Sequence, residues 1–396
     1  MGRKQILISG AGIAGPTLAY WLLESGLRPV LVERAPEFRE GGYIVDFWGV
    51  GYDVAEQMGL IPALRAKGYV NDRAVFVRED GTERSGFGAE AIRRALGNRF
   101  LSIQRGDLAR LIYDTVRDRI ETRFDDEIET LDHKIDGIEV RFRSGEVCAF
   151  DCVVGADGLH SKVRAEMFAS RSIPERYLGY YAAVFITRGY SRRNEHTYLS
   201  YAAPGRQISR FALRDDETGF LFVFRREHRD AGSAFDLPAQ KRFLFEVFAH
   251  EKWEEWPEIR KHLEACNELY FDAVAQVEIP VWSKGRVGLV GDAAYCPSLL
   301  AGEGSAMAIA GAYVLAKEMA RAEGDFLAAF RSYERLFRPF VERKQDAASA
   351  FASSFTPATS FGLAVRDLVL KLTAIPFVES LLMRRFVIDR FQLPDY

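Results

Sequence analysis

Near the N-terminus the apolar run Ile6-Leu7-Ile8 leads directly into Gly10-Ala11-Gly12-Ile13-Ala14-Gly15, then a helical stretch and a second apolar strand that ends on Glu33. This strand–G-x-G-x-x-G–helix–strand–acid order narrows the possible folds more than any other feature of the chain. Gly10 permits the tight turn, Gly12 lets a polyanion approach the backbone, and Gly15 allows helix and strand to pack closely. Free N–H groups and the positive dipole end of the helix favour a phosphate there. A carboxylate at the end of the second strand can accept hydrogen bonds from a ribose 2′-OH. The unit predicts a Rossmann-like βαβ start and a dinucleotide site. The competing reading is a glycine-rich turn that binds nothing.

The length, 396 residues, fits two to three domains with ample chain for a core. A formal charge of −3 and a pI near 6.2 leave no footprint for nucleic acid or an anionic membrane. Cys148, Cys152, Cys266 and Cys296 form no C-x-x-C pair and have no histidine cluster nearby, so the expectation is no metal and free thiols in a reducing, cytoplasmic compartment. Met1-Gly2-Arg3-Lys4 runs straight into a strand that the βαβ unit needs, which argues against a cleaved leader. No apolar run is long enough to span a bilayer. The apolar stretch from Phe361 to Phe391 is broken by Arg366, Asp367, Lys371, Glu379, Arg384 and Arg385, and reads as amphipathic helices packed on the body.

Element order predicts an α/β fold interrupted by an α+β insertion. Glu40-Gly41-Gly42 marks a turn, 49–67 is helical, Ala74–Val77 with Asp80-Gly81 reads as a hairpin, and Arg105 opens a helix through Val116 with Asp107 as cap. From about 178 to 279 the pattern changes to alternating, strand-like runs, with a helical stretch within it at 237–269. Phe220, Phe222 and Phe224 fall on one face of a strand, either as sheet core or as the wall of a substrate pocket. The expected division is a discontinuous cofactor-binding domain of 1–73, 100–177 and 280–345, a substrate domain with an antiparallel sheet of 74–99 and 178–279, and a C-terminal helical segment of 346–396.

Two further motifs follow buried-strand patterns. Cys152-Val153-Val154 precedes Gly155-Ala156-Asp157-Gly158-Leu159-His160-Ser161, which puts a carboxylate at a sheet's C-terminal edge, where α/β folds bind ligands. A capped turn without a ligand, with Ser161 as the cap, explains the same residues equally well. Leu289-Val290 precedes Gly291-Asp292-Ala293-Ala294-Tyr295-Cys296-Pro297 and then Gly302-Glu303-Gly304 at the start of a long helix. A carboxylate at such a strand end can bind sugar or ribityl hydroxyls, and a glycine turn at a helix N-terminus can aim N–H groups at an electron-rich carbonyl.

Taken together, the three motifs resemble in order and spacing those of the group A, para-hydroxybenzoate hydroxylase-like FAD-dependent monooxygenases. Gln104-Arg105-Gly106-Asp107-Leu108 is similar to that family's R-x-x-L helix start, and 288–315 looks closest to its tetracycline-inactivating, natural-product-modifying branch. The resemblance covers roughly residues 1–345. It implies that Gly10, Gly12, Ala14 and Gly15 hold the FAD pyrophosphate, and Glu33 the adenosine ribose with Arg34 adjacent. Arg105 would contact the phosphate–ribityl region, Asp292 the ribityl chain or pyrophosphate, and Asp157 both FAD and NAD(P)H. Pro297, Gly302 and Gly304 would flank the isoalloxazine, and Asp46 would approach it from a loop. The chain departs from the family pattern at Tyr295 (usually His), Glu303 (Gln), Leu299 (Pro), Ala306 (Asn) and Gly311 (Asp). A carboxylate at Glu303 would disfavour an anionic reduced flavin unless it points away or is protonated.

The implied activity is a monooxygenase: NADPH or NADH reduces FAD, O2 adds at C4a, and the hydroperoxide delivers oxygen to an aromatic or polyketide-like small molecule. A flavin dehydrogenase or reductase without oxygen insertion, and a non-catalytic flavin-binding relative, are the alternatives. The cofactor carries such chemistry, so no nucleophile–base triad is needed. The sequence identifies no catalytic base. Asp46 and Pro297 are the candidates near the flavin, and His160 and His196 qualify by residue type only. A pocket of Phe47, Trp48, Phe211, Phe220, Phe222 and Phe224 is expected to receive the substrate. The sequence leaves the oligomeric state open.

Overall fold

The computed structural model describes residues 4–38, 42–168, 175–192, 194–229, 236–372 and 391–396. A six-stranded sheet runs in the order Ser283–Lys284, Val287–Leu289, Cys152–Gly155, Gln5–Ser9, Arg28–Val32, Glu121–Arg123. Pairing is parallel except at the Ser283–Lys284 edge. Ile6, Leu7, Ile8, Val153 and Val154 are fully buried, because a parallel sheet of this kind is covered on both faces. Strand order reverses at Gln5–Ser9: one neighbour comes next in sequence, the other nearly 150 residues later. Such a reversal opens a crevice beyond the carboxyl ends of the strands. Ser9 pairs with Gly155 and Gly155 with Leu289, so all three sequence motifs leave adjacent parallel strands at that same end.

A second, seven-stranded sheet has the order Tyr270–Gln276, Arg176–Arg188, Glu217–Arg225, Arg206–Ala212, Thr197–Ala203, Arg73–Val77, Glu83–Gly88. The hairpin read at Ala74–Val77 is present, and Arg73–Val77 joins Thr197–Ala203 in parallel, which brings the early hairpin into the sheet of the later insertion. One face of this sheet is packed by the helices Leu237–Val247 and Trp256–Ala265.

Several expected elements differ. The helix read at 49–67 is two, Gly49–Gln57 and Ile61–Lys67, because Gly59 takes φ +73° and Pro62 begins the second. The stretch 237–269 is likewise two helices rather than one. Asp107 does not cap the helix Arg105–Asp114; its carboxylate pairs with Lys67 at 2.7 Å. The boundary expected at 345/346 falls inside a single helix, Phe326–Phe355. Of the C-terminal segment, Ser360–Leu372 is helical and Phe391 stacks on Phe340 at 4.9 Å, while Glu379, Arg384 and Arg385, like the expected turn residues Glu40 and Gly41, lie outside the described residues. No helix among the described residues is long and apolar enough to cross a membrane.

Candidate active site

The three glycines of the first turn meet different surroundings. Gly10 has φ +106°, and a Cβ there would lie 2.5 Å from the Ala156 carbonyl oxygen; at Gly15 it would lie 1.9 Å from the carbonyl of Gly10. Both are fixed by backbone packing. At Gly12 the nearest atom to such a Cβ is Arg105 Nη2, 3.8 Å away, so the turn is an open platform beside a guanidinium. The helix Ala14–Glu24 has no side-chain cap, which leaves its first N–H groups for another acceptor. Glu33 Oε2 accepts from Ala11 N at 2.9 Å and Oε1 from Ala35 N at 3.0 Å. These bonds fix the carboxylate at the strand end, and each oxygen keeps acceptor capacity. Arg34 beside it is exposed.

Arg105 begins its helix with its N–H donating to the Tyr43 carbonyl at 2.9 Å. Burial pushes the Asp292 carboxyl up, and the Arg105 guanidinium opposes that shift. Burial likewise pushes the Tyr43 phenol up to about 12, with Arg105 again opposing and Asp292 adding to it. A Cβ at Gly304 would stand 3.6 Å from Asp292 Oδ1 and 4.0 Å from Pro297 Cδ. Gly12, Tyr43, Arg105, Asp292, Pro297 and Gly304 therefore surround one cleft at the ends of the parallel strands. Gly302 takes the left-handed φ of +69° before the helix Gly304–Arg321, whose N-terminus has no side-chain cap. This set suits a dinucleotide: a glycine platform, an uncapped helix end, one guanidinium and two carboxylates at strand ends.

Asp157 does not face that cleft with a free carboxylate. Its Oδ1 accepts from Ser161 Oγ at 2.5 Å, and its Oδ2 accepts from Lys162 N and Val163 N at 2.8 and 3.1 Å. It staples the N-terminus of the helix Lys162–Met167, for which Ser161 is the cap, so the capped-turn reading accounts for its contacts. Arg164 on that helix donates to the Ala293 carbonyl at 3.0 Å and links the second motif to the third. His160 bridges Glu175 and Asp272 at 3.0 and 3.1 Å, and these two carboxylates raise its pKa to about 9. His196 contacts the Val70 carbonyl at 2.7 Å. Both histidines are engaged by other residues of the protein.

Asp46 lies on the strand Ile44–Trp48, paired with Phe100–Gln104, and accepts from Ser102 Oγ at 2.5 Å. The residue is exposed, yet protein surrounds the carboxyl closely enough that loss of bulk water pushes it up. Burial, with the Asp46 charge adding to it, pushes the facing Tyr198 phenol up to about 12. Tyr198 stacks on Phe211 at 5.7 Å and 6°. Phe211, itself buried, thus lies on the face of the large sheet away from the two helices, with Tyr198, a residue that sequence reading missed. The alternation in Thr197–Ala203 contained the signal, since Leu199 and Tyr201 occupy the opposite face.

The remaining aromatic candidates do not form the expected pocket. Phe220, Phe222 and Phe224 are fully buried on the other face of the sheet, against Phe185, Phe248, Trp256 and Phe271. They are core, because alternation puts them under the two covering helices. Phe47 is also fully buried, beside Tyr52. Trp48 is half-buried next to Phe100. Glu303 is turned toward the helix Phe326–Phe355, where Lys344 Nζ donates to Oε1 at 2.8 Å.

The profile of the FAD binding domain family matches residues 3–342. A flavin-dependent monooxygenase of an unknown prokaryotic organism is 36% identical over 86% of this chain and 88% of its own length. A flavin-dependent monooxygenase of Legionella longbeachae serogroup 1 (strain NSW150) is 33% identical over 86% and 87%. Among solved structures, tetracycline destructase Tet(55) is 32% identical, covers 100% of this chain and 99% of its own, and superimposes with a TM-score of 0.84. The chain belongs to the FAD binding domain family and is a flavin-dependent monooxygenase with FAD as its cofactor.

Proposed function

We propose that the cleft holds FAD along Gly10, Gly12, Ala14, Gly15, Glu33, Arg105 and Asp292, takes electrons from transiently docked NADPH or NADH, and inserts one atom of O2 into an aromatic or polyketide-like small molecule. The observation that carries the cofactor reading is the open Gly12 platform beside Arg105 and opposite Asp292. The bound flavin supplies the electron- and oxygen-transfer chemistry. Glu33 receives the adenosine ribose, with Arg34 at its edge, and Arg105 neutralises phosphate charge. Pro297, Gly302 and Gly304 border the isoalloxazine. Asp157 serves this site by fixing its loop, not by touching the cofactor. The discontinuous cofactor unit and the inserted substrate unit of the sequence division meet at this cleft.

The substrate lies against the wall of Asp46, Tyr198 and Phe211. A stacked aromatic pair beside a carboxylate suits a planar ring bearing a hydroxyl, which the carboxylate orients and keeps electron-rich. A polycyclic substrate is supported by the likeness to a tetracycline destructase along the whole chain. The test measures NADPH bleaching of the bound flavin and O2 uptake across a library of aromatic compounds, with products analysed by mass. A substrate should accelerate bleaching and gain one oxygen atom. If no compound does either, this reading fails.

A further inference from the structure

Loop 296–303 links the short helix Asp292–Tyr295 to the helix Gly304–Arg321 and contains a non-glycine residue in a costly conformation. Ser298 has φ +115° and ψ +146° and is buried. A backbone of this kind persists only where its surroundings over-determine it. Its own Oγ accepts from Leu300 N at 3.1 Å, a local bond that cannot position the loop against the rest of the molecule.

Two buried glutamines from distant elements do that. Gln276 ends the strand Tyr270–Gln276, and its Nε2 donates to the Pro297 carbonyl at 2.9 Å and the Gln345 carbonyl at 2.7 Å. Gln345 lies on the helix Phe326–Phe355, and its Nε2 donates to the Val277 carbonyl at 2.8 Å and the Cys296 carbonyl at 3.2 Å. Ser349 Oγ donates to Gln276 Oε1 at 3.1 Å, which fixes the amide orientation. Irregular buried backbone needs donors for its carbonyls, and these two amides supply them. At the far end of the loop, Lys344 of the same helix holds Glu303; both side chains are 14% exposed.

We propose that Gln276 and Gln345 are positioning residues that hold the 296–303 loop in the shape that borders the flavin, and that Lys344 fixes the loop's far end while neutralising Glu303. This rests on the reading of that loop as the isoalloxazine wall. The helix Phe326–Phe355 thereby acts on the flavin without touching it. An unpaired carboxylate at Glu303 would oppose the gain of electrons by a flavin nearby, whereas the paired one does so less.

The test compares Gln276→Met, Gln345→Met and Lys344→Gln with Ile259→Val, a core change under the far sheet. FAD titration of the apoprotein, the visible flavin spectrum and the midpoint potential are read beside Tm. Each Met variant should raise the FAD Kd about ten-fold or more, equivalent to ~1.4 kcal/mol, and shift the flavin spectrum. Lys344→Gln should lower the midpoint potential, and Lys344→Arg should restore it. Ile259→Val should lower Tm alone. If a Met variant does not fold, Ser349→Ala, which removes one of the two donors to the Gln276 oxygen and leaves Arg176, should give the same spectral change in smaller measure. Folded variants with wild-type Kd, spectrum and potential would overturn the proposal. A wild-type protein that took up no FAD would overturn the underlying reading instead.

Discussion

A Cβ on Gly311 would stand 1.9 Å from the Tyr295 hydroxyl and 3.0 Å from Tyr295 Cζ. Tyr295 is buried, and its hydroxyl accepts from the Tyr333 hydroxyl at 3.0 Å. The two positions are sterically coupled: the Tyr295 ring fills the room that a side chain at Gly311 would need. An Ala for a helix-interior Gly normally gains roughly 0.5–1 kcal/mol. Here Gly311→Ala should instead cost about 1–3 kcal/mol through overpacking. Thermal or urea denaturation measures the loss, and in a Tyr295→Leu background most of it should vanish. Equal losses in both backgrounds would refute the coupling.

Arg105 lies 3.8 Å from the Cβ position of Gly12 and acts electrostatically on both Asp292 and Tyr43. If its guanidinium meets the cofactor's phosphates, Arg105→Leu removes a charge-assisted contact of about 1.5–3 kcal/mol. The FAD Kd of the apoprotein should then rise roughly ten- to hundred-fold. Arg105→Lys should fall between, since an ammonium keeps the charge but not the fork. Unchanged affinity in the Leu variant would remove Arg105 from the cofactor site.

Much of the cofactor half was legible because its requirements are local. The close approaches at Gly10 and Gly15 follow from the turn itself, and Glu33 is fixed by two backbone N–H groups within two strands of it. The substrate half depends on which face of a sheet turns inward. Alternation places Phe220, Phe222 and Phe224 together but does not say that two helices from 237–265 cover that side. Asp157 shows the same limit: a carboxylate at a strand end serves a ligand or its own helix, and only coordinates reveal Ser161, Lys162 and Val163 around it. The Gln276–Gln345 contacts join a strand end to a helix about 70 positions later, and the backbone they hold at Cys296 and Pro297 is irregular, with no periodicity to read.

The corrected assignment of the aromatics separates two variants by readout. Phe222→Ala empties a fully buried core position and should cost about 3–5 kcal/mol of stability. In protein that remains folded, it should leave KM for an aromatic substrate unchanged. Phe211→Ala removes the ring stacked on Tyr198 and should raise that KM several-fold. A raised KM for Phe222→Ala, with none for Phe211→Ala, would return the pocket to the other face.

His160 ties the loop after the second motif to the large sheet through Glu175 and Asp272. Its folded pKa of about 9 stands above the ordinary 6.5. The stabilisation is therefore fully present below pH 6.5 and lost as pH rises through 9. The side chain is 48% exposed, so solvent screening limits the contribution to at most ~1 kcal/mol. Urea midpoints across that window should fall more in wild type than in His160→Gln, which has no such titration. Parallel curves would show that the bridge contributes nothing.

Asp46 should oppose itself in stability and activity. Burial raises its carboxyl above the ordinary 3.8, while the Ser102 hydroxyl works in the other direction. The native state then binds this proton more tightly than the unfolded chain, so stability falls as pH rises from 3.8 through the raised value. Asp46→Asn, which cannot ionise, should therefore be more stable than wild type at neutral pH. Activity runs the opposite way: orienting or deprotonating a substrate hydroxyl needs the ionised form, so the acidic limb of kcat/KM should lie above the ordinary carboxylate range. Asp46→Asn should abolish that limb and lower the rate on the order of 10²-fold. Ser102→Ala removes the hydrogen bond that favours the ionised form and should move the limb to higher pH. An acidic limb that persists in Asp46→Asn assigns the titration to another group and leaves Asp46 only the strain of its burial.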